Sequence, residues 1–337
     1  MSTLKDNFQR TIDYMRISIT DRCNLRCIYC MPPEGLVSMK HKDILSYEEI
    51  VRILRIAVHI GVRKVRITGG EPLIRKNVSY LITLIKTIKG IQDLSLTTNG
   101  ILLQRYAQEL ADAGLERVNI SLDSLRANRY REITRGGDLD AVLKGIESAE
   151  KVGLAPIKIN MVPIRGFNDD EIVEFATLTF KVPYQVRFIE FMPFGKEYMW
   201  RPEYFISAEE IKSIVEDIGE LHPVRLNRSG PARYYQFDGS VGVLGFISPL
   251  SNHFCKKCNR LRLTADGKLR PCLFSETEID IKTALRSGVP DDEIERLIKL
   301  SIQLKPEGHD MSIKNSELGK LLSNRGDYRR PMSKIGG

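Results

Sequence analysis

All six cysteines of the 337-residue chain fall into two triplets. Cys23, Cys27 and Cys30 have the spacing C-x3-C-x2-C within TDRCNLRCIYC. Cys255, Cys258 and Cys272 follow as C-x2-C-x13-C. Clustered thiols in a reducing compartment hold metals or do redox chemistry more readily than they form disulfides. A closed zinc site wants four ligands, and three cysteines fall one short. The nearest histidine to the first triplet is His41, beyond Pro32, Pro33 and Gly35. A four-iron cluster takes one ligand per iron, so three cysteines leave one iron open to a cofactor or substrate. A zinc site completed by a distant ligand stays open for the bare first triplet. For the second, His253 is near enough to complete a Cys3His site, and spacing alone does not choose between zinc and iron–sulfur.

Cations form the other chemical signal. Arg16 stands in MRISIT, Arg66 in KVRIT, Lys158 in PIKINMVPI, and Arg260 and Arg262 flank Leu261 just after the second triplet. On a strand, Arg260 and Arg262 share one face. The planar guanidinium fork donates in pairs to phosphate. The formal net charge is +8, from 51 Lys and Arg against 43 Asp and Glu, and this favours a polyanionic partner. The plainer reading of R-x-R is a solvated strand face. Aromatic residues are 7% and mostly do not interleave with the basic ones, which argues against a nucleic-acid-binding face.

These residues need elements to position them. MRISIT reads as a strand. SYEEIVRILRIAVHIG reads as a helix, with Ser46 as N-cap, Glu49 three residues on and Gly61 as stop. The alternation continues to about residue 190: KVRIT, LSLTT, RVNISL, PIKINMVPI and YQVRFIEFM as strands, with amphipathic helices between. Six strand–helix units with short connections imply a parallel sheet covered by helices, an open or partial barrel. The polar stretches TDRCNLRC, TGGEP, TTNG, SLDS and MPFG all follow strands, where βα folds bind ligands. Gly69 and Gly70 offer a backbone without Cβ, suited to pairing with an amino-acid-like ligand. After about residue 200 the rhythm changes. GPARYYQFDGSVGVLGFIS reads as a hairpin, RLRLTADGKLRPCL as two short strands around Asp266-Gly267, and Asp280 to about Leu322 as a predominantly helical tail, before a Gly336-Gly337 end. The expected division is 1–200 for the barrel and 201–337 for a C-terminal region.

Hydrophobic content of 42% and charged content of 28% are ordinary for a globular protein. No stretch reaches the length of a membrane span. The opening MSTLKDNFQRTIDY lacks the apolar run of a signal peptide, so a cytoplasmic location is expected.

With both triplets, TGGEP, the βα rhythm and the final GG in view, the chain resembles the radical S-adenosylmethionine enzymes. Within them it is similar to the family of GTP 3',8-cyclases, which open molybdenum cofactor synthesis. The likeness covers nearly the whole chain, and CNRLRLTADGKLRPCL and the diglycine end are its most specific parts. It implies a partial (βα)6 TIM-type barrel with a C-terminal extension carrying a second iron–sulfur cluster. Cys23, Cys27 and Cys30 would hold a [4Fe–4S] cluster that chelates S-adenosylmethionine; Cys255, Cys258 and Cys272 would hold another facing GTP. Tyr29, Gly70, Ser121 and Met192 are implied to bind S-adenosylmethionine. Arg16, Arg66, Thr97, Lys158, Arg260, Leu261 and Arg262 are implied to bind GTP. Arg16, Arg260, Arg262, Gly336 and Gly337 are implied to act in catalysis, the tail entering the pocket to position the arginines. Arg187 lies in the matched stretch VRFIEFM. The implied reaction removes the C3' hydrogen of GTP with a 5'-deoxyadenosyl radical and joins C3' to C8, a lyase chemistry. The resemblance also implies an external one-electron donor and a functional link to the downstream cyclic pyranopterin monophosphate synthase. It leaves room for a homodimer, with no nucleic acid or membrane partner.

Two alternatives compete. A peptide-modifying radical enzyme shares the first triplet but usually carries a peptide-recognition domain before the first strand, which here begins near Met15. A zinc-containing nucleic-acid-binding protein would be colourless and free of iron and sulfide.

Overall fold

The computed structural model describes residues 4–194, 200–226, 230–309 and 330–336. Six strands run parallel and pair in chain order: β1 (Tyr14–Ser18), β2 (Lys64–Thr68), β3 (Asp93–Thr98), β4 (Arg117–Ser121), β5 (Lys158–Met161) and β6 (Gln185–Ile189). The helices between them are α1 (Tyr47–His59), α2 (Val78–Lys86), α3 (Leu103–Asp112), α4 (Ala127–Thr134), α5 (Leu139–Lys151) and α6 (Ile172–Lys181). The expected cap of α1 is present as a reciprocal box: the Glu49 amide donates to Ser46 Oγ at 3.1 Å, and the Ser46 amide donates to Glu49 Oε2 at 2.7 Å. Helix α4 was not expected. It lies between SLDS and the helix read over LDAVLKGIESAEKVG.

Strand alternation divides the sheet into two chemistries. Met15 and Ile17, Val65 and Ile67, Leu94 and Leu96, and Val118 and Ile120 are buried in the main hydrophobic core with α1, α2, α3 and α5. The intervening residues are polar: Arg16, Arg66, Ser95, Thr97 and Asn119. A parallel strand covered on both faces usually reads as a continuous apolar run. Here one face covers a core and the other faces a polar cavity.

The sheet does not stop at six strands. After α7 (Ala208–Glu216) come β7 (Leu221–Val224), β8 (Arg233–Phe237) and β9 (Val243–Ile247). Next come β10 (Arg260–Leu263), β11 (Lys268–Arg270) and β12 (Ile279–Asp280), then α8 (Ile281–Arg286) and α9 (Asp291–Gln303). Strand β9 joins β6 in parallel, and β10 joins β1 in parallel. The order is β12-β11-β10-β1-β2-β3-β4-β5-β6-β9-β8-β7, so the sheet is open, with β12 and β7 at its edges. The expected hairpin pairs β8 with β9, and the Asp266-Gly267 turn joins β10 to β11. Both added parallel strands arrive as members of hairpins, so the βα rhythm does not announce them. Among the described residues no helix is long and apolar enough to cross a membrane.

Candidate active site

Residues from β1, β2, β3, β4, β5, β6 and β10 line one cavity of about 320 Å³, so the sheet curves around it. Both cysteine triplets line it. So do Tyr29, Gly70, Ser121 and Met192, and Arg16, Arg66, Thr97, Arg187, Arg260 and Arg262.

The first triplet sits on the loop after β1, braced by the loop after β2. The Gly70 amide donates to Thr20 O and the Glu71 amide to Arg22 O, each at 2.7 Å. A Cβ on Gly70 would lie 2.2 Å from Arg22 O, and one on Gly69 would lie 2.8 Å from Thr20 O. The glycines therefore admit the backbone of the cysteine loop. Thr20, Asp21 and Arg22 fill the space a Cβ would take and the Gly70 amide is already used, while both glycines still line the cavity.

Glu71 is the buried hub of this end. It accepts from the amides of Leu73 and Asn99 and from Thr98 Oγ1, at 3.0, 2.7 and 2.8 Å. Burial pushes its carboxyl up to about 7, while these three donors pull the other way. Asn99 carries the brace onward: its Nδ2 donates to Asn24 Oδ1 at 2.8 Å and lies 3.9 Å from Cys23 Sγ. Asp123 accepts from Tyr29 Oη at 2.6 Å and from the Val162 amide at 2.9 Å. Burial pushes Asp123 up to about 6. The three thiols are close enough to influence one another: beyond burial, Cys30 and Cys23 raise Cys27, and Cys23 raises Cys30. Burial raises Cys23 to about 11 and Cys30 to about 12, and it holds Cys27 well above the usual thiol range.

The second triplet lies in a cationic setting. Burial alone would raise Cys258, but Arg260 and Lys305 pull it down to about 6. Arg260 hydrogen-bonds the Cys258 thiol, and its guanidinium stacks 4.7 Å from the Phe254 ring centroid. Register then places Arg262 beside Arg16, Arg16 beside Arg66 and Arg66 beside Ser95 across four adjacent strands. Burial and mutual repulsion lower the pKa of Arg16 and of Arg262. A bound polyanion would relieve both.

The C-terminal tail reaches this row. Residues Met332–Ile335 form one helical turn, and Gly336 O accepts from Arg262 Nη1 at 2.6 Å. Gly336 adopts φ +86°, and a Cβ there would lie 2.5 Å from Thr68 Oγ1 and 2.9 Å from Ser18 Cβ. Ile335 packs with Phe194, Leu250 and Phe274, and Met192 and Cys272 border that cluster. Gly337 lies outside the described residues.

Two expected contacts stand apart. Leu261 is 1% exposed in the main core, because the alternation that turns Arg260 and Arg262 inward turns it outward. A nucleotide contact from Leu261 is thereby limited to its backbone. Lys158 is buried without lining the cavity, its Nζ 6.0 Å from the Tyr234 ring centroid, and burial with Arg187 and Arg117 nearby pushes it down to about 6. The residues that sequence reasoning missed are Glu71, Asn99, Asp123, Glu190 and Lys305. Glu71, Asn99 and Asp123 stand in TGGEP, TTNG and SLDS, so a carboxylate or amide at a strand end was the available signal. Glu190 accepts from the amides of Ala208, Leu250 and Ser251 and so ties β6 to the segment before the second triplet. Lys305 had no local signal.

The donor chemistry fits soft metal ligation: all six cysteines are free thiols. Among the described residues, no three His, Cys, Asp or Glu side chains form a site for a single metal ion. Among the described residues, Thr97 Oγ1, Asn160 Oδ1 and Arg187 Nε are buried polar atoms without a partner, on residues that line the cavity, which fits a polar ligand.

The fold and site define a class. The family model for the radical SAM superfamily matches residues 17–179, and that for Molybdenum Cofactor Synthesis C matches 184–311. The fold is shared with Streptococcus suis SuiB bound to S-adenosylmethionine: TM-score 0.60 over 87% of this chain and 68% of that one, at 18% identity. Closer relatives narrow the class. The GTP 3',8-cyclase of Thermodesulfovibrio yellowstonii is 55% identical over 336 residues, 99% of this chain and 100% of that one. That of Alkaliphilus metalliredigens is 51% identical over 334 residues, again 99% and 100%. The chain belongs to the GTP 3',8-cyclase family of radical SAM enzymes.

Proposed function

We propose that this chain converts GTP to (8S)-3',8-cyclo-7,8-dihydroguanosine 5'-triphosphate, a lyase reaction that opens molybdenum cofactor synthesis. The observation that carries the reading is the convergence of two cysteine triplets and an in-register arginine row on one cavity. Cys23, Cys27 and Cys30 would hold one [4Fe–4S] cluster and Cys255, Cys258 and Cys272 a second, each with one iron free of protein ligands. When bound, the clusters and S-adenosylmethionine supply an electron and a carbon radical at the C3' hydrogen of GTP.

The chain's own residues bind, orient and exclude water. Tyr29, Ser121 and Met192 line the cavity and would contact S-adenosylmethionine, with Asp123 fixing Tyr29. Gly70 would offer its carbonyl. Arg16, Arg66 and Thr97 would take the triphosphate and ribose, with Lys158 and Arg187 adding charge from β5 and β6. Arg260 and Arg262 lie on β10, which pairs with β1, and Arg260 hydrogen-bonds Cys258; both would hold the nucleotide against the second triplet. The tail packs Ile335 into the apolar cluster and holds Arg262 through Gly336 O, and it would thereby close the cavity. A dry, oriented site is what radical chemistry requires; correct orientation alone is worth roughly 7–11 kcal/mol.

The reading assigns residues 1–200 to the barrel and 201–337 to the extension. It also includes an external one-electron donor, delivery of product to the downstream synthase, and room for a homodimer. Anaerobic turnover of GTP deuterated at C3' tests it. Deuterium recovered in 5'-deoxyadenosine is expected; unlabelled 5'-deoxyadenosine alongside cyclised product would overturn it.

A further inference from the structure

Two buried cations grip the second cysteine triplet through its backbone. Arg10, on the N-terminal arm, donates to Cys255 O and Glu307 O at 2.8 Å and to Pro306 O at 2.6 Å. Lys305, just past the end of α9, donates from Nζ to Arg260 O at 2.8 Å and to Pro271 O at 2.6 Å. Arg260 follows Cys258 by two residues, and Pro271 directly precedes Cys272. Lys305 thus ties the strand that leaves Cys258 to the residue that delivers Cys272.

The two cations differ in charge balance. Arg10 pairs with Asp6 at 2.6 Å. Lys305 is 4% exposed, and among the described residues no carboxylate pairs with it. An ammonium buried without a counter-ion costs several kcal/mol. Burial weighs most against its charge and holds its pKa below the ordinary value; Cys258 and Cys272 favour the charge, while Arg260 and Arg10 oppose it. Carbonyl bonds alone do not balance a charge, and among the described residues Cys258 and Cys272 are the groups that favour it. A cluster's reduction potential follows the charge around it, and groups outside the ligand shell set ligand orientation.

We propose that Lys305 is the positioning residue and fixed countercharge of the second cysteine triplet. It holds Cys258 and Cys272 at their spacing and raises the reduction potential of the iron–sulfur cluster bound there. The proposal rests on the two-cluster reading above. A positive charge beside a cluster stabilises the more negative, reduced form, so its removal moves the midpoint to more negative potential.

The test uses the full chain with Cys23, Cys27 and Cys30 replaced by Ala, so that all bound iron reports on the second triplet. Lys305→Gln keeps donors for the two carbonyls and removes the charge; Lys305→Arg keeps the charge. Each is reconstituted anaerobically, assayed for iron and sulfide, and titrated with EPR detection. The expected result is a more negative midpoint, or lost cluster, in Lys305→Gln and a return toward the parent in Lys305→Arg. A Lys305→Gln protein with full iron and an unmoved midpoint would overturn the proposal. Equal shifts in Gln and Arg variants would overturn it too, because charge would not be the cause. If the parent with Lys305 intact takes up no iron or sulfide, the two-cluster reading fails first, before any Lys305 variant is compared.

Discussion

Cys27 and Cys258 line the same cavity, yet their surroundings move the two thiols in opposite directions. Around the first triplet burial dominates, and Glu71 and Asp123 add negative charge nearby. At Cys258 of the second, Arg260 and Lys305 outweigh burial and favour thiolate, whereas burial still raises Cys255. Identical donor sets thus sit in different fields. The first field suits a site that takes a cationic sulfonium ligand. The second suits one that meets a polyanion, and the arginine row of β10, β1 and β2 extends it.

The largest test removes one ligand from each side. Cys27→Ser is expected to abolish both 5'-deoxyadenosine and cyclised product, whereas Cys258→Ser abolishes the cyclised product and leaves residual 5'-deoxyadenosine. Liquid chromatography of both products reads the difference, and identical losses would break the division of labour. Next in size is the tail. Removing Gly336 and Gly337 takes away the acceptor of Arg262 and is expected to lower cyclisation by on the order of 10²-fold or more while leaving iron content unchanged. Full activity of the truncated chain would remove the tail from the site.

Smaller effects sharpen the contrast. Glu71→Ala leaves the amides of Leu73 and Asn99 and the Thr98 hydroxyl without their acceptor. It should cost about 2–4 kcal/mol in denaturant unfolding of the cluster-free chain. A loss below about 0.5 kcal/mol would mean the brace is dispensable. Lys158 gives a pH signature. Its pKa is depressed to about 6 without nucleotide, and a nearby triphosphate would raise it toward its ordinary value. Between those limits GTP binding takes up protons, so affinity falls as pH rises above about 6. Calorimetry in buffers of different ionisation enthalpy should show an uptake of about one proton, beyond the nucleotide's own, that vanishes in Lys158→Met. The smallest effect is kinetic: at pH 7 in cluster-free protein, iodoacetamide should modify Cys258 before Cys23, because only Cys258 is drawn down to about 6. The reverse order would undo the electrostatic contrast.

Much of this was legible in local order. The capping box at Ser46 and Glu49, the limits of β2 and the six-strand rhythm all follow from periodicity and short-range hydrogen bonding. The cysteine loops and the R-x-R pair stood out because their chemistry is carried by spacing within one segment. The same kind of reading could not show the close approach at Gly69 and Gly70, since the backbone that fills the space at their missing Cβ atoms lies some fifty residues earlier in the chain. It also counted Leu261 with its neighbours, although strand alternation turns that side chain into the core.

Residue types and spacings alone determined the six strands of the βα rhythm, the two donor sets and the supply of cations, because each is a property of neighbours along the chain. Only the tertiary structure decided that β10 lies against β1, that Arg262, Arg16 and Arg66 stand in one row, and that Lys305 and Arg10 close on the second triplet. Those contacts join residues dozens to hundreds of positions apart. Strand register and burial create them, and no local pattern encodes either.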